Sequence, residues 1–412
     1  MKSWLFGVLT MVLLGLAGAG AWFWFFYLNS GSLLSPFTNL DSVAPLSRLT
    51  KSPFVVYGFV PYWNLTKTVV QPEITHLAYF SLPITIDGEL DGITNGKPSD
   101  SDADISSRRW RSEQLDTVVQ QLRPNQSFTL TLTQFDKTGI ETFLSSPSAQ
   151  ATFQTSLRSF LTNTTRPVQG LNIDIEYPGD ATDELRANYV TFLQRTRQTV
   201  DAWAKSKHLN NFDLSISVYA SSASHHLLWD IPALTSSVDH VVVMAYDFHR
   251  SSSPVAGPVA PMFGAKQSWD NDVALHMKEI LTQIPAQKVL LGIPFYGYEW
   301  ETTKGDSRSL VFPGTGSTAS YSRVQRLLQS TNSGEVADGP ITQGWDDDAL
   351  SPYVIFSKDD RQHVIYYEDA RSIGYKVELV NELRLGGIAI WALGYEDGSR
   401  ELWDAVSEHL AE

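Results

Sequence analysis

Short apolar runs alternate with longer amphipathic stretches along most of the chain. The runs are rich in β-branched and aromatic residues, which favours strands, whereas the stretches between several of them have the periodicity of surface helices. Strands are predicted at 54–60, 74–80, 128–133, 168–177, 212–218, 240–246, 289–295 and 387–391. Helices are predicted at about 110–123, 181–206, 270–284, 369–384 and 398–410, with further helical sequence before 162.

Eight predicted strands with helices between them favour an α/β fold of the (β/α)8, or TIM, barrel type. An open, doubly wound sheet is the alternative, although no glycine-rich phosphate turn follows any early strand. Residues 298–368 are too long and too rich in turns for one strand–helix unit, so we expect an α+β insertion between strand seven and its helix. Within it, 353–356 and 363–367 form a predicted hairpin that reverses at Asp359-Asp360.

An uncharged run from Trp4 to Leu28 follows Lys2. At about 1.5 Å per helical residue it can cross a hydrocarbon core of roughly 30 Å, so we predict a transmembrane anchor over 1–28. The next basic residue is Arg48. The positive-inside rule then places the rest of the chain outside, as a single-pass protein of the cell membrane.

A cleaved signal peptide is the alternative interpretation of this segment, with Ala17-Gly18-Ala19 as a small-residue cleavage site. The mature protein would then be secreted. In both cases 29–52, which has no clear periodicity, is predicted to be a linker, and 53–412 is predicted to be the barrel domain.

Composition narrows the classes of function. The 412 residues are 42% hydrophobic and 12% aromatic, which is ample for a large core. A net charge of −14 disfavours a nucleic-acid partner, because the phosphate backbone attracts a basic surface. The chain has no cysteine, which excludes disulfides, thiolate catalysis and cysteine-ligated zinc. We expect a monomer that contacts the membrane through its N-terminal helix.

Carboxylates, phenols and flat apolar rings gather at the ends of the predicted strands. In a barrel, these ends form the face that carries the active site. The strand-end residues are Trp63, Tyr79, Asp174, Glu176, Tyr246, Asp247, Tyr296 and Trp391. Aromatic rings pack on the C–H faces of sugars, and carboxylates act as acids and bases on glycosidic bonds. Each ring alone is typical of a core, but their joint position favours a carbohydrate site.

Polar and aliphatic residues alternate strictly in the stretch 171–176. Side chains of a strand alternate between its two faces, so Asn172, Asp174 and Glu176 share one face. A half-buried edge strand with a solvated acidic face would have the same pattern. If the face instead lines a site, ionisation of one carboxyl group favours the proton on the other. A carboxyl group that keeps its proton near neutral pH can serve as a general acid.

The stretch 170–176 resembles the DGxDxDxE signature of family-18 glycoside hydrolases, the chitinase-like family. Three further segments agree with that family in order and spacing, namely 244–247, 292–297 and 387–391. The resemblance covers about 54–410. Two segments look most like the bacterial branch that includes spore-cortex peptidoglycan hydrolases, 367–372 and 391–397.

The resemblance implies a retaining mechanism in which the substrate's own 2-acetamido oxygen attacks the anomeric carbon. Glu176 would protonate the leaving oxygen and later act as base on water, while Asp174 would hold the acetamido N–H. Tyr246, with Asp247, would bind the acetamido group, and the ring of Trp391 would form the floor of the sugar-binding site. Further substrate contacts are expected from Met244, Tyr296, Tyr79, Trp63 and Asn172. No cofactor is implied.

Two positions depart from the family pattern, since its first two Asp residues are Gln169 and Asn172 here. Asn172 carries no charge, so the pKa coupling rests on Asp174 and Glu176. The expected function is hydrolysis of β-1,4 linkages in GlcNAc-containing polysaccharide, whether chitin, chito-oligosaccharide or peptidoglycan. The alternatives are a catalytically silent lectin on the same barrel, which needs no general acid, and a structural protein of the cell envelope.

Acidic and histidine clusters elsewhere are poor metal sites. The alternating aspartates at 100–104 lack the glycine and glutamate of an EF-hand calcium loop. Asp346–Asp348 is predicted to be a solvated turn, and His225-His226 has no partner at metal spacing. The sequence therefore predicts no metal site.

Overall fold

The computed structural model describes residues 54–90, 102–209, 211–329 and 337–410, which belong to one compact unit. The predicted anchor and linker, 1–52, lie outside the described residues. Within those residues no helix is both long enough and apolar enough to cross a membrane.

Eight parallel strands close into a barrel, in the order β1-β13-β7-β6-β5-β4-β3-β2 with β2 returning to β1. All strands, in chain order, are β1 (Val55–Pro61), β2 (His76–Pro83), β3 (Ser127–Gln134), β4 (Val168–Ile175), β5 (Asp213–Tyr219), β6 (His240–Met244), β7 (Val289–Pro294), β8 (Tyr296–Thr302), β9 (Ser317–Ser320), β10 (Thr342–Asp346), β11 (Ser351–Lys358), β12 (Arg361–Tyr366) and β13 (Gly387–Trp391). The barrel prediction is confirmed. The open sheet is wrong, because β1 pairs on one side with β13 and on the other with β2.

Helices connect the strands along the chain. They are α1 (Asp102–Trp110), α2 (Glu113–Val119), α3 (Lys137–Ser145), α4 (Pro147–Asn163), α5 (Asp183–Ser206), α6 (Ile231–Leu234), α7 (Val273–Ile280), α8 (Tyr321–Gln329), α9 (Ala370–Glu382) and α10 (Glu401–Leu410). The helix predicted at about 110–123 corresponds to α2, and α1, which ends at Trp110, was not predicted. The side chain of Ser112 accepts a hydrogen bond from the backbone N–H of Leu115 and so caps α2.

The predicted insertion is present between β7 and α9. It is a five-stranded antiparallel sheet in the order β10-β11-β12-β8-β9, and it begins at Tyr296, directly after β7. The predicted hairpin is confirmed, with Val354 opposite Ile365. Asp359 and Asp360 turn the chain with φ of 51° and 59°, in the left-handed region that Asp tolerates better than most residues.

Polar groups occupy the barrel interior at the amino ends of the strands. The Tyr57 hydroxyl donates to Asp213 Oδ2 at 2.8 Å, and His240 Nδ1 lies 2.7 Å from Asp213 Oδ1. Burial acts to raise the pKa of Asp213, but His240, His76 and Tyr57 together hold it below its ordinary value. Tyr57, Asp213, Ser215 and His240 thus satisfy one another at this end of the barrel.

Candidate active site

Strand β4 places the acidic residues inside the barrel. Leu171 and Ile173, which alternate with them, are fully buried on the outer face of the strand. Asn172 and Asp174 point inward and are 0% and 4% exposed, and Glu176 follows at the strand end. The interpretation as an edge strand with a solvated acidic face is therefore wrong, because β4 pairs with both β3 and β5.

A cavity of about 510 Å³ opens at the carboxyl ends of the strands. Seven of the predicted site residues line it, namely Asp174, Glu176, Met244, Tyr246, Asp247, Tyr296 and Trp391. Closure of the barrel brings together residues at the ends of β4, β6 and β13, and the insertion adds Tyr296 from β8. Asn172, Tyr79 and Trp63 do not line the cavity.

Burial dominates the electrostatics of the acidic pair. Burial first, and then the charge of Glu176, raises the pKa of Asp174 well above its ordinary value. Burial also raises the pKa of Glu176, although a hydrogen bond from Tyr219 and the charge of Arg250 partly oppose it. Asp174 Oδ1 is buried without a hydrogen-bond partner. The site therefore holds a carboxyl group that retains its proton more readily than usual and a buried oxygen free to accept a bond.

Two phenols hold Asp247. Tyr296 and Tyr298 both donate their hydroxyl hydrogens to Asp247 Oδ1, the second at 3.0 Å. Asp247 adopts φ 61°, a left-handed conformation that is uncommon outside glycine and is often found at functional sites. Both tyrosines lie on β8, so the first strand of the insertion fixes a side chain of the barrel loop.

Tyr246 lines the cavity beside this group. Burial, followed by the charges of Asp174 and Asp247, raises the pKa of Tyr246 well above its ordinary value. Its hydroxyl therefore stays protonated near neutral pH and can donate a hydrogen bond. Its ring lies 6.4 Å from that of Tyr296, centroid to centroid.

Aromatic rings form the side of the cavity made by β1, β2 and β13. Trp391 packs edge-on against Phe80 at 4.6 Å and lies 6.1 Å from Phe59. Trp63 is 46% exposed, and its ring is 6.3 Å from that of Trp391. Trp63 thus extends the aromatic surface beyond the cavity rather than lining it.

The structure corrects the prediction for Tyr79. Its side chain is fully buried on the outer face of β2, where its hydroxyl donates to the carbonyl oxygen of Ser106 at 2.6 Å and its ring packs on Trp110. The neighbouring Phe80 points inward in its place. The prediction assigned Tyr79 to the wrong face of β2, because both faces of a barrel strand are buried and their apolar composition does not distinguish them.

Asn172 also lies away from the cavity, one layer below it. Its Nδ2 donates to Ser215 Oγ at 3.0 Å, and its Oδ1 accepts from Ser217 Oγ at 3.1 Å. It is fully buried and cannot touch a substrate as the barrel stands. Its place beneath Asp174 makes it a support for the site rather than a ligand contact.

Three functional side chains were missed in the sequence. Tyr219 ends β5 and hydrogen-bonds Glu176, Arg250 lies in the loop after β6, and Tyr298 lies in the insertion. The strand-end position of Tyr219 was a usable signal. Arg250 and Tyr298 had no such signal in the sequence, because their proximity to the site depends on how the loop after β6 and the inserted sheet fold back.

No group of three or more His, Asp or Glu side chains is placed to hold a metal ion in the described part of the chain. The predicted solvated turn holds for Asp347 and Asp348, which are exposed, but is wrong for Asp346, which is buried and accepts hydrogen bonds from Arg308 and Tyr366. His226 pairs with Asp183 at 2.9 Å. The side chains of the 100–104 aspartates lie outside the description.

Comparison with known proteins finds relatives that are named as a chitinase and as a lytic enzyme. A class V chitinase of Arabidopsis thaliana is 29% identical over 290 residues, which are 66% of this chain and 71% of that protein. The cortical fragment-lytic enzyme of Bacillus subtilis (strain 168) is 28% identical over 236 residues, 54% of this chain and 46% of that enzyme. The chain thus spans about half the length of the Bacillus relative.

The fold also has close counterparts among solved structures. That of a GH18 chitinase from Cycas revoluta in complex with (GlcNAc)3 has a TM-score of 0.69 and 20% identity, covering 86% of this chain and 99% of that one. The sequence profile of the glycosyl hydrolases family 18 matches residues 54–396, which is most of the chain. This confirms the resemblance noted in 170–176, and the protein belongs to glycosyl hydrolase family 18.

Proposed function

We propose that the chain is a retaining hydrolase of β-1,4 linkages in GlcNAc-containing polysaccharide, acting by substrate-assisted catalysis. The observation that carries the proposal is the pairing of Glu176, whose pKa is raised, with the buried and unpartnered Oδ1 of Asp174. A protonated carboxyl group can act as general acid on the glycosidic oxygen. An orphaned acceptor beside it suits the N–H of an acetamido group.

The proposed reaction uses these groups in turn. Glu176 gives its proton to the glycosidic oxygen as the C1–O bond breaks, and the substrate's acetamido oxygen forms a bond to C1. Asp174 accepts the acetamido N–H and offsets the positive charge of the oxazolinium ion, while Tyr246 donates to the acetamido group. Water then attacks C1 and gives a proton to Glu176, which restores the starting state with retained configuration.

The relatives support a GlcNAc-based substrate. One is named a chitinase, another a cortical fragment-lytic enzyme, and a structural neighbour was solved with (GlcNAc)3 bound. The aromatic side of the cavity, formed by Phe59, Phe80 and Trp391, offers the apolar surface on which sugar rings pack.

The test compares the wild type with Glu176→Gln. Release of reducing ends from chito-oligosaccharides and from purified peptidoglycan is expected to fall by about 10²- to 10⁴-fold, because the amide cannot donate a proton to the leaving oxygen. Binding, measured by calorimetry, is expected to persist. Glu184→Gln makes the same change on the exposed start of α5 and serves as the control.

Two outcomes would reject this function. Equal turnover by the wild type and Glu176→Gln would remove Glu176 from the reaction. Binding of the oligosaccharides without release of reducing ends by the wild type would instead indicate a lectin.

We also propose that the barrel is displayed outside the cell on the hydrophobic run Trp4–Leu28. The protein is then expected in the membrane fraction, and protease added outside intact cells is expected to release the barrel. Deletion of 1–28 should remove it from the membrane. Recovery of the full-length protein in the cytosolic fraction would contradict this location.

A further inference from the structure

An arginine lines the cavity opposite the aromatic side. Arg250 lies in the loop after β6, three residues beyond Asp247, and its side chain is exposed. In the barrel order β6 is across from β2, which carries Phe80. A sugar in the cavity therefore has apolar rings on one side and a guanidinium group on the other.

The backbone of Arg250 is held in place from several sides. Its N–H donates to Ser253 Oγ at 2.9 Å, and its carbonyl oxygen accepts from Ser253 N–H at 3.0 Å and from Trp300 Nε1 at 3.1 Å. The side-chain Nε donates to the carbonyl oxygen of Asp247 at 3.2 Å. The loop thus fixes the start of the side chain and aims its end at the cavity.

The guanidinium group lacks an acidic partner. Across the described residues Arg250 takes part in no ion pair, and its only recorded guanidinium hydrogen bond is that from Nε. Arginine carries five N–H donors, so the fork made by its two terminal nitrogens remains available. The same cavity is lined by the neutral polar side chains of Ser221, Ser252, Ser253 and Asn271 and by the carboxyl groups of Asp174, Glu176 and Asp247.

A neutral glycan would form only weak hydrogen bonds with the guanidinium group of Arg250. Its binding would displace water from the guanidinium and offer only hydroxyl and amide oxygens in return, whereas a carboxylate matches the planar fork with two parallel hydrogen bonds. Hydrogen bonds to charged groups are also stronger than neutral ones. The cavity is therefore better matched to a carboxylated sugar than to an uncharged one.

We propose that Arg250 is a specificity-determining residue that binds a carboxylate on the sugar next to the cleaved bond, so that the enzyme prefers an anionic GlcNAc glycan to chitin. This rests on the proposed function and narrows its substrate class. The carboxylate has two chemical sources, the lactyl ether of N-acetylmuramic acid and a hexuronic acid that alternates with GlcNAc. A hexuronic acid places an anion on every second sugar, and N-acetylmuramic acid does so where its lactyl group carries no stem peptide.

The charge of Arg250 has a second effect that must be separated from recognition. It lowers the pKa of Glu176 and so acts on every substrate alike. Loss of recognition changes the ratio of kcat/KM between an acid and its neutral ester, whereas loss of the electrostatic effect shifts the pH profile for both. The ratio is therefore the quantity to measure.

The experiment uses the full chain as wild type, Arg250→Gln, Arg250→Lys and Arg195→Gln. The substrates are tetrasaccharides: (GlcNAc)4, the alternating GlcNAc–N-acetylmuramic acid compound, the alternating GlcNAc–glucuronic acid compound, and the methyl ester of each acid. Both kcat/KM and binding by calorimetry are measured. Arg195 is exposed on α5, away from the cavity, and its change alters the net charge equally.

The wild type is expected to prefer an acid to its ester, and Arg250→Gln is expected to reduce this preference roughly 10- to 100-fold, in turnover and in binding. Arg250→Lys should retain part of it, since lysine keeps the charge without the fork. Arg195→Gln should retain all of it. Whichever acid shows the effect identifies the source of the carboxylate.

The proposal is overturned if the wild type treats acid and ester alike, or if Arg250→Gln affects both equally. Binding that discriminates through Arg250 without any cleavage would keep the inference and reject the hydrolase. Cleavage of (GlcNAc)4 with no preference for an acid would reject the inference about Arg250 and keep the hydrolase.

Discussion

Ser217 donates a hydrogen bond of 3.1 Å to Asn172, at the position where the family has its second aspartate. Asn172 is satisfied on both sides, since its Nδ2 donates to Ser215 at 3.0 Å. A neutral amide therefore lies beneath Asp174, whose Oδ1 has no partner among the described residues. The acidic centre of this enzyme is a pair of carboxyl groups rather than a row of three.

Asn172→Asp is expected to destabilise the protein in a pH-dependent way. The new carboxyl group would be buried in line with Asp174 and Glu176, and burial and like charge both raise its pKa above the unfolded value. Its protonated form is tolerated at low pH, and the cost of about 1–3 kcal/mol appears as pH rises toward neutrality. Urea denaturation at pH 5 and pH 7.5 measures this. An equal loss of stability at both pH values would contradict it.

Asp174→Asn tests the raised pKa of Asp174 through stability. The pKa of Asp174 is higher in the folded protein than in the unfolded chain, where an Asp has a pKa of about 3.9. Such a group contributes its full stabilisation of the fold at pH values below the unfolded pKa. This contribution is lost as pH rises through the folded pKa, by up to about 1.4 kcal/mol per pH unit. The unfolding free energy of Asp174→Asn relative to wild type should therefore increase from pH 4 to pH 7. A difference that is independent of pH would show that the pKa of Asp174 is not raised.

Tyr296→Phe and Tyr298→Phe are each expected to lower kcat/KM by about tenfold or more, because each removes a hydrogen bond to the carboxylate of Asp247. Burial and the charge of Asp247 keep both phenols protonated, so the loss should be similar across the working pH range. Tyr375→Phe makes the same change on α9, away from the cavity, and is the control. Unchanged kinetics in both variants would show that the hydrogen bonds from Tyr296 and Tyr298 to Asp247 do not contribute to kcat/KM.

A buried ion pair supports the strand that carries Trp391. Lys376 on α9 donates to Glu368 at 2.7 Å, and both side chains are essentially inaccessible to solvent. Lys376→Met is expected to cost about 3–5 kcal/mol, because it leaves a buried carboxylate without its partner. Adding Glu368→Gln should recover much of that loss. A double-mutant cycle by urea denaturation measures the coupling, and additive effects would contradict it.

Much of the barrel could be predicted from local pattern. The eight strands, the insertion after β7 and the hairpin at Asp359-Asp360 all follow from apolar periodicity and turn residues, which act over a few neighbouring positions. The acidic face of β4 followed in the same way from the alternation in 171–176. Local pattern could not show which face of β2 is inside, and Phe80 rather than Tyr79 lines the cavity for that reason.

The sequence by itself determined the strands, the acidic pair and the family to which the chain belongs. Only the tertiary structure decided that Tyr298 holds Asp247, that Asn172 is bonded to β5, and that Arg250 forms no ion pair with any described residue. These contacts join residues that are close in space only after the barrel closes and the insertion folds back on it. Periodicity records which face of an element is buried, but it does not record which other element covers that face.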